Sequence, residues 1–295
     1  MQKGYWYAIG AYVTWGFFPV YWKWLHQVSA LQLIGHRVVW SCVMLLAIIL
    51  ISRQWTSFRA SASKGRSLLI YAVAGVLIAI NWTVYVWAVN SDFVLETSLG
   101  YFMTPLVSIL LGVVVLGERL SAGRWAAIGL AAFGVLYLTF AYGSLPWIAL
   151  ALACSFGTYG LVKKMAPLGA VHGLALETCI LFLPALIYLL YENNQGRGAF
   201  LHGGLTTNLL MIGAGPVTTV PLLLFAGATR RIPLSTTGLF QYINPTLQFL
   251  LGVLVFHEPF TRSRLIGFSI VWMALILSAL ASHRAFREKL DDVVG

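Results

Sequence analysis

Strongly apolar stretches of this sequence contain ionisable side chains, and five of them are candidates for function: Lys23, His36, Arg37, Glu96 and Glu177. A charge at the centre of a bilayer costs roughly 2.5–3.5 kcal/mol on insertion scales, so ionisable residues kept there usually serve a function. The two cations could bind an anionic group of a substrate. His36, which titrates near neutrality when unperturbed, and the two carboxyl groups could carry a proton. We therefore treat His36, Glu96 and Glu177 as candidates for proton coupling.

Each of the five also has a structural interpretation. Lys23 lies about one turn from the end of its apolar stretch, so its head group could extend to the membrane surface. His36 could be a hydrogen-bonded packing residue, and Glu96 could favour the N-terminus of a helix that begins beside it. Arg37 and Glu177 could join neighbouring helices, or each other, by polar bonds.

Aromatic and amide side chains form a second group of candidates, because they can pack on a small molecule and hydrogen-bond its polar groups. Trp and Tyr are also common at membrane–water interfaces, so that alternative stays open for the aromatic members. Asn81 differs, because a buried amide needs hydrogen-bonding partners. With the two cations included, the candidates for substrate binding are Trp15, Tyr21, Lys23, Arg37, Asn81, Trp82, Tyr85, Tyr101, Tyr159, Gln241 and Tyr242.

Composition indicates that membrane-spanning helices position these residues. Apolar residues make up 59% of the 295 residues and charged residues 9%, whereas soluble domains carry about 25% charged residues. A helix needs roughly 20 apolar residues to cross the hydrocarbon core. The sequence predicts an all-α integral membrane protein with ten transmembrane helices, near 4–25, 33–52, 67–90, 93–116, 124–142, 145–162, 170–191, 206–228, 234–256 and 265–282.

The net charge of +10 is explained by membrane orientation. With a cytoplasmic N-terminus, fourteen Lys and Arg residues fall in cytoplasmic loops or termini and three, Arg197, Arg262 and Arg264, fall outside, as the positive-inside rule requires. Lys163, at the end of the sixth span, is expected to extend to the cytoplasmic surface. We predict a multi-pass protein of the bacterial inner membrane with both termini cytoplasmic, and no nucleic-acid partner.

A repeat divides the chain into two halves. TPLVSILLGVVVLGE at 104–118 and NPTLQFLLGVLVFHE at 244–258 align without a gap at a shift of 140, and eight of the twenty positions from Pro105 to Arg124 are identical. Five spans per half is an odd number, so the second half must be inverted in the membrane relative to the first. The predicted units are residues 1–142 and 143–283, followed by a short cytoplasmic tail at 284–295. Arg37 and Glu177 occupy equivalent positions at this shift.

Paired prolines predict where a cavity lies. Pro105 and Pro245 each free a carbonyl one turn upstream, because proline has no N–H and its ring excludes the normal helical bond. Exposed backbone at mid-membrane is tolerated only where protein or a watery cavity satisfies it. Tyr101 and Gln241 lie at these positions, so we expect a cavity there.

Several segments resemble the EamA family of the drug/metabolite transporter superfamily: GHRVVWS, WAVNS, LETSLGYFMTPL, LGER, GSLP, YGLVKK, TTVPLL and LSTTGLFQYINPT, in this order. The resemblance implies two inverted five-helix repeats, both termini cytoplasmic, and alternating access around a cavity lined mainly by spans one, three, four, six, eight and nine. Thr104 stands where the family pattern has Asn, as at Asn244, and His257 stands where it has Gly. The first departure weakens any claim that a pair of Asn residues is needed for transport.

These features favour a secondary active transporter for a small polar or amphipathic metabolite, coupled to protons through His36, Glu96 or Glu177. Inverted repeats supply outward-open and inward-open states of similar energy. A passive facilitator or channel and a duplicated bundle kept for packing remain alternatives. A lipid-modifying enzyme is disfavoured, because nine acids form no tight motif. The three cysteines have no ligand spacing, so no metal or cofactor is expected; membrane lipid is the surrounding partner, and the oligomeric state stays open.

Overall fold

The computed structural model describes residues 2–91, 93–142 and 146–256, together with the pairs 265–266, 269–270, 272–273 and 276–277. Within these residues all regular secondary structure is α-helical, which confirms the predicted all-α class. Most of the predicted tenth span, the whole of 284–295 and residue 257 lie outside this part of the chain. The helices are α1 Gln2–Gly16, α2 Phe18–Lys23, α3 Ala30–Ile51, α4 Trp55–Ala62, α5 Gly65–Asn90, α6 Val94–Val114, α7 Ala122–Tyr142, α8 Trp147–Met165, α9 Ala170–Asn194, α10 Gly204–Thr229, α11 Leu234–Gln241 and α12 Ile243–Leu254.

Apolar side chains on all sides of these helices suit a lipid environment, where the backbone must satisfy its own polar groups. In the described part of the chain, four helices are long and apolar enough to cross a membrane by themselves: Ala30–Ile51, Gly65–Ala88, Ala170–Asn194 and Gly204–Thr229. Shorter apolar helical stretches cover Leu99–Val114 and Ala122–Tyr137. The other predicted spans are shorter, interrupted or not fully described. Short α4, which the sequence did not predict, is held by Phe58, whose side chain is buried in the core.

The predicted first span is two helices, α1 and α2, that meet at Phe17. Pro19 is in the first turn of α2 and cannot donate a hydrogen bond to the carbonyl of Trp15. Gln248 Nε2 donates to this carbonyl at 3.4 Å, so a side chain from the other half replaces the missing partner. The predicted ninth span is likewise divided at Tyr242, between α11 and α12, three residues before Pro245.

Helix positions repeat with the shift found in the sequence. Helix α3 begins at Ala30 and α9 at Ala170, and α6 covers 94–114 where α11 and α12 together cover 234–254. Contacts between the halves follow the same relation, because α5 packs on α8 as α10 packs on α1, and α3 packs on α10 as α9 packs on α5. Exchanged contacts of this kind are what a two-fold relationship between two units produces.

Small residues allow some helices to approach closely. A Cβ atom at Gly215 of α10 would lie 2.6 Å from the backbone carbonyl carbon of Trp40 in α3. Close packing through small residues is a usual basis of helix association in membranes. The wall formed by α3 and α10 is therefore fixed by direct contact near the backbone, and it carries Arg37 and Thr218 toward the interior.

Candidate functional site

A cavity of about 220 Å³ lies between the two halves. Its wall is formed mostly by apolar and aromatic side chains, with four amide side chains and one charged side chain. The residues that line it are Tyr12, Trp15, Phe18, Pro19, Trp22, Arg37, Ile78, Asn81, Trp82, Tyr85, Tyr101, Thr104, Leu152, Phe156, Leu222, Gln241, Asn244 and Gln248. These residues come from spans one, three, four, six, eight and nine, as the resemblance implied, and also from α3 through Arg37.

The cavity lies beside the paired prolines, as their positions predicted. Tyr101 and Thr104, which are four and one residues before Pro105, both line it. Their equivalents at the shift of 140, Gln241 and Asn244, line it from the second half. Segments with the same sequence pattern therefore contribute to one cavity from both halves.

Arg37 provides the charge on the cavity wall. Its Nε donates a hydrogen bond to Thr218 Oγ1 at 2.9 Å. The guanidinium carbon lies 4.1 Å from the ring centroid of Trp82 and 5.1 Å from that of Trp22, within the range of a cation–π interaction. Among the described residues no carboxylate forms an ion pair with Arg37. The terminal nitrogens of its guanidinium are likewise without a protein acceptor in this part of the chain.

Most amides on the cavity wall have protein partners. Asn81 Nδ2 donates to Leu152 O and to Ser155 Oγ, both at 3.0 Å, which answers the requirement that a buried amide be bonded. Gln248 Nε2 donates to Asn244 Oδ1 at 2.9 Å. The bonds of Asn81 join α5 to α8, and the bond between Gln248 and Asn244 lies within α12. Both sets fix the orientation of the amides.

Besides the Arg37 guanidinium, two polar groups of the wall lack a hydrogen bond of normal geometry within the described residues. Gln241 accepts a hydrogen bond from Ser108 Oγ at 3.2 Å through its Oε1, whereas its Nε2 and the hydroxyl of Tyr12 have none, although these two side chains adjoin each other. Both residues are at most 5% exposed. A buried donor without a partner is costly, so both groups are suited to bond a ligand or water in the cavity.

Aromatic rings in edge-to-face and tilted contact form the side of the cavity next to α8 and α10. The Trp15 ring lies 5.7 Å from Phe156 and 5.8 Å from Phe225, centroid to centroid. Tyr85 and Tyr101 pack at 5.7 Å on the wall formed by α5 and α6. Such rings offer apolar faces to a flat ligand.

A second, much smaller cavity of about 10 Å³ adjoins Arg37. Ten of its twelve lining residues are five pairs related by the shift of 140: Arg37 and Glu177, Val38 and Thr178, Ser41 and Leu181, Ile78 and Thr218, Trp82 and Leu222. This cavity therefore lies where equivalent positions of the two halves face each other. Its volume is about that of one water molecule.

Glu177 is paired with Lys163, which corrects two expectations. Lys163 Nζ lies 2.5 Å from Glu177 Oε1, and the side chains are 3% and 1% exposed. Lys163 therefore does not extend to the membrane surface, because its charge is neutralised inside the bundle. Arg37 and Glu177 do not form the direct ion pair that their equivalent positions allowed. The Tyr159 hydroxyl donates to Glu177 Oε2 at 3.1 Å.

Seven of the eleven candidates for substrate binding line the large cavity: Trp15, Arg37, Asn81, Trp82, Tyr85, Tyr101 and Gln241. The other four do not. The Tyr21 hydroxyl donates to the carbonyl of Leu210, and Lys23 is exposed with Nζ 3.9 Å from the Phe256 ring centroid. Tyr159 lines the small cavity, and Tyr242 is buried against Phe102 and its neighbours.

The candidates for proton coupling are in three different situations. Glu177 adjoins the small cavity. His36 is 5% exposed and packs on Phe200 at 5.0 Å between ring centroids, with Nδ1 lacking a partner among the described residues; it lines neither cavity. The side chain of Glu96 lies outside the described part of the chain.

Sequence reasoning overlooked several polar residues of the wall. Asn244 and Gln248 are four residues apart on α12, and Tyr12 and Trp15 are three apart on α1, so each pair shares a helix face. A search for polar residues at this spacing from the paired prolines and from Trp15 would have found them. Phe18, Trp22 and Phe156 carried no such signal, because aromatic residues are frequent throughout the chain.

Comparisons with known proteins agree with this architecture. The model of the EamA-like transporter family matches residues 2–140. Protein RarD of Streptomyces exfoliatus is 45% identical over 98% of this chain and 93% of that protein. The uncharacterized transporter YojE of Bacillus subtilis (strain 168) is 44% identical over 94% of this chain and 93% of its own.

Two further matches extend the comparison. Protein RarD of Escherichia coli (strain K12) is 42% identical over 96% of this chain and 97% of that protein. A solved structure superposes with a TM-score of 0.70 at 16% identity, covering 97% of this chain and 99% of that one, which shows a shared fold. The chain therefore belongs to the EamA-like transporter family and is a multi-pass membrane transporter.

Proposed function

We propose that the protein is a secondary active transporter that moves a small polar or amphipathic metabolite across the bacterial inner membrane by alternating access. The observation that carries this proposal is the aromatic and amide-lined cavity between equivalent segments of the two halves, at Tyr101, Thr104, Gln241 and Asn244. Binding sites at the interface of structural repeats are a common feature of secondary transporters. The substrate would occupy this cavity in both states.

The proposal includes an inverted orientation of the halves 1–142 and 143–283, with both termini in the cytoplasm. Exchanged helix contacts support a two-fold relationship between the halves. An inverted repeat gives two states of similar energy, because each half can adopt the conformation of the other. Five spans in each half would place the axis of this relationship in the membrane plane.

Contacts between the halves close one end of the bundle, which we call the basic end and define by Lys164, Arg230, Arg231 and Glu118. The Glu118 carboxylate accepts hydrogen bonds from Leu234 N at 2.6 Å and Ser235 N at 2.8 Å. It thereby caps the N-terminus of α11, where a negative charge is favourable. In alternating access this contact between α11 and the loop after α6 would break as the cavity opens toward the basic end.

The basic end also contains the N-terminus of α1. The guanidinium of Arg231 lies 5.0 Å from the ring centroid of Tyr7, and a Cβ atom at Gly4 would meet Ile232 at 2.7 Å. Lys164 Nζ donates to the carbonyls of Thr229 and Ile232. With the N-terminus in the cytoplasm, the basic end is the cytoplasmic gate.

Proton coupling belongs to the same proposal. Of the three candidates, Glu177 is the one whose described side chain adjoins a cavity. A proton on its carboxyl group would remove the charge that holds Lys163 at 2.5 Å. Protonation would therefore change the contact between α8 and α9, two helices that move relative to the first half in alternating access.

The test is solute counterflow in proteoliposomes. Proteoliposomes that contain the purified protein are loaded with one unlabelled solute from a panel of amino acids, aromatic acids and drug-like compounds. Uptake of the same solute in labelled form is then followed. Saturable, trans-stimulated uptake that responds to a pH gradient is the expected result. Leu152→Trp, which fills the cavity, should abolish it, whereas Leu150→Trp, at an exposed position of the same helix, should not.

Two outcomes contradict the proposal. Flux without saturation or trans-stimulation would identify a passive facilitator or channel. A lack of flux for every member of the panel would remove the proposed substrate range. Uptake that is trans-stimulated but indifferent to the pH gradient would leave the transporter and remove proton coupling alone.

A further inference from the structure

We propose that the substrate carries a carboxylate or a comparable small anionic group, which Arg37 binds, next to a flat apolar body that packs on the aromatic wall. This inference rests on the proposed function, because it assigns the substrate class to the same cavity. It would make the protein a transporter of amphipathic organic anions.

Charge balance is the first argument. Among the described residues that line the large cavity, Arg37 is the one that carries a charge. The nearest acid across the small cavity, Glu177, is already neutralised by Lys163 at 2.5 Å. A cation without a counter-ion in a water-poor interior is costly. An anionic ligand would supply the counter-charge that the described protein residues do not.

The geometry of the guanidinium is the second argument. Arg37 Nε donates to Thr218, and the guanidinium carbon lies 4.1 Å from the ring centroid of Trp82, so both contacts restrict the movement of the group. The two terminal nitrogens lack a protein acceptor within the described ranges, although the residue lies on the cavity wall. A guanidinium held in this way offers parallel N–H groups that match a carboxylate in a bidentate pair.

The rest of the wall defines the rest of the ligand. Trp15 and Phe156 pack at 5.7 Å and offer apolar ring faces. The adjoining Nε2 of Gln241 and hydroxyl of Tyr12, which form no hydrogen bond of normal geometry within the described residues, would bond a second polar group of the ligand. A flat apolar acid with one additional hydrogen-bonding group therefore fits the chemistry of the cavity better than a sugar or a cation.

A purely structural role for Arg37 is the competing explanation. Stacking on Trp82 and the bond to Thr218 would then be the whole purpose of the side chain, and the cavity would have no preference for charge. The two explanations differ in a measurable way, because only a binding role makes the affinity depend on the charge of the ligand.

The experiment measures binding to the full-length protein in detergent, with benzoate, phenylacetate, indole-3-acetate and N-acetyltryptophan as probes, each compared with its uncharged amide. Tryptophan fluorescence and isothermal calorimetry give the dissociation constants. At least one acid should bind tenfold or more tightly than its amide. Arg37→Gln should abolish this preference, and Arg37→Lys, which keeps the cation, should retain part of it.

A matched control distinguishes binding at Arg37 from a general effect of the protein's positive charge. Arg59→Gln removes an exposed cation on α4 and should leave the preference unchanged. Thermal unfolding in detergent shows that each variant is folded. Equal binding of acids and amides, no binding by any acid, or a preference that persists in Arg37→Gln would each overturn the assignment.

The outcomes also separate this inference from the proposed function. Trans-stimulated counterflow of neutral solutes, without a preference for acids, would contradict the anion site and remain consistent with a transporter. Preferential binding of acids with no counterflow of any solute would contradict the proposed transport mechanism and remain consistent with the anion site.

Discussion

Lys163 Nζ of α8 lies 2.5 Å from Glu177 Oε1 of α9, and both side chains are almost completely buried. Removal of one partner leaves a buried charge without compensation, which typically costs about 3–5 kcal/mol. Lys163→Met should therefore lower the stability by roughly this amount, whereas Lys163→Met combined with Glu177→Leu should cost clearly less than the two single changes added together. Unfolding by denaturant in detergent micelles measures both. Lys64→Met, outside the bundle core, is the matched control, and strictly additive losses would contradict the pairing.

Proton coupling through Glu177 has its own expected result. Glu177→Gln combined with Lys163→Gln removes the titrating carboxyl without leaving a lone buried charge. We expect the double variant to keep trans-stimulated counterflow and to lose accumulation driven by a pH gradient. Accumulation in proteoliposomes at matched and unmatched pH measures this. A double variant that still accumulates solute under the gradient would exclude Glu177 as the proton carrier.

Glu118 caps α11, and in the proposed mechanism this contact keeps the basic end closed. Loss of a cap typically costs about 0.5–2 kcal/mol, so Glu118→Ala should shift the population toward states open at that end by roughly two- to thirtyfold. Labelling of a Thr104→Cys reporter by a membrane-impermeant maleimide from the basic side should accelerate accordingly. Glu192→Ala, which breaks the exposed pair with Arg197 in the loop before α10, should leave that rate unchanged. An unchanged rate in Glu118→Ala would show that this contact is not a gate.

Tyr12 and Gln241 adjoin each other on the cavity wall, and the proposal gives their polar groups a role in bonding the ligand. A hydrogen bond to a neutral group contributes about 0.5–1.5 kcal/mol net, so Tyr12→Phe should weaken ligand binding by roughly two- to tenfold. The preference for acids over amides should persist, because Arg37 is untouched. Calorimetry on this variant measures both quantities. A Tyr12→Phe protein with unchanged affinity for every ligand that binds the wild type would show that the hydroxyl faces no ligand.

Substitution of Gly215 tests the close packing of α3 and α10. A Cβ atom there would meet Trp40 at 2.6 Å, including backbone atoms that cannot move aside, whereas a Cβ atom at Gly129 would have no neighbour within 4 Å. Gly215→Ala should destabilise by about 1–3 kcal/mol, as overpacking does, and Gly129→Ala should be neutral or slightly stabilising. Thermal unfolding in detergent distinguishes the two. Similar melting temperatures for both variants would contradict the close approach.

Local constraints explain what the sequence could predict. The helices follow from apolar length, and the position of the cavity followed from Pro105 and Pro245, because both signals act within a few residues. The first and ninth spans were predicted as continuous, whereas the structure divides them near Pro19 and Pro245, where proline lacks the N–H of a regular helix. Tyr21 and Lys23 were candidates for the cavity wall, but the α2 side chains that line the cavity are Phe18, Pro19 and Trp22. Tyr21 instead bonds the carbonyl of Leu210, and Lys23 packs near the Phe256 ring.

Contacts between helices explain what the sequence could not predict. Each helix is apolar on nearly all sides, so periodicity does not tell which side faces the interior. The pairing of Lys163 with Glu177 and the stacking of Arg37 on Trp82 depend on how separate helices pack. Gln248 bonds the carbonyl of Trp15, 233 residues away in sequence, and no local pattern encodes that distance.

One measurement tests alternating access around the cavity most directly. In a protein whose three native cysteines are replaced, a Thr104→Cys reporter is labelled by a membrane-impermeant maleimide from each side of the membrane, before and after a reversible disulfide joins Glu118→Cys to Ser235→Cys. The account predicts labelling from both sides before crosslinking. Afterwards it predicts loss of labelling from the basic side and faster labelling from the other. Labelling from one side only, or rates on both sides that the crosslink leaves unchanged, would contradict it.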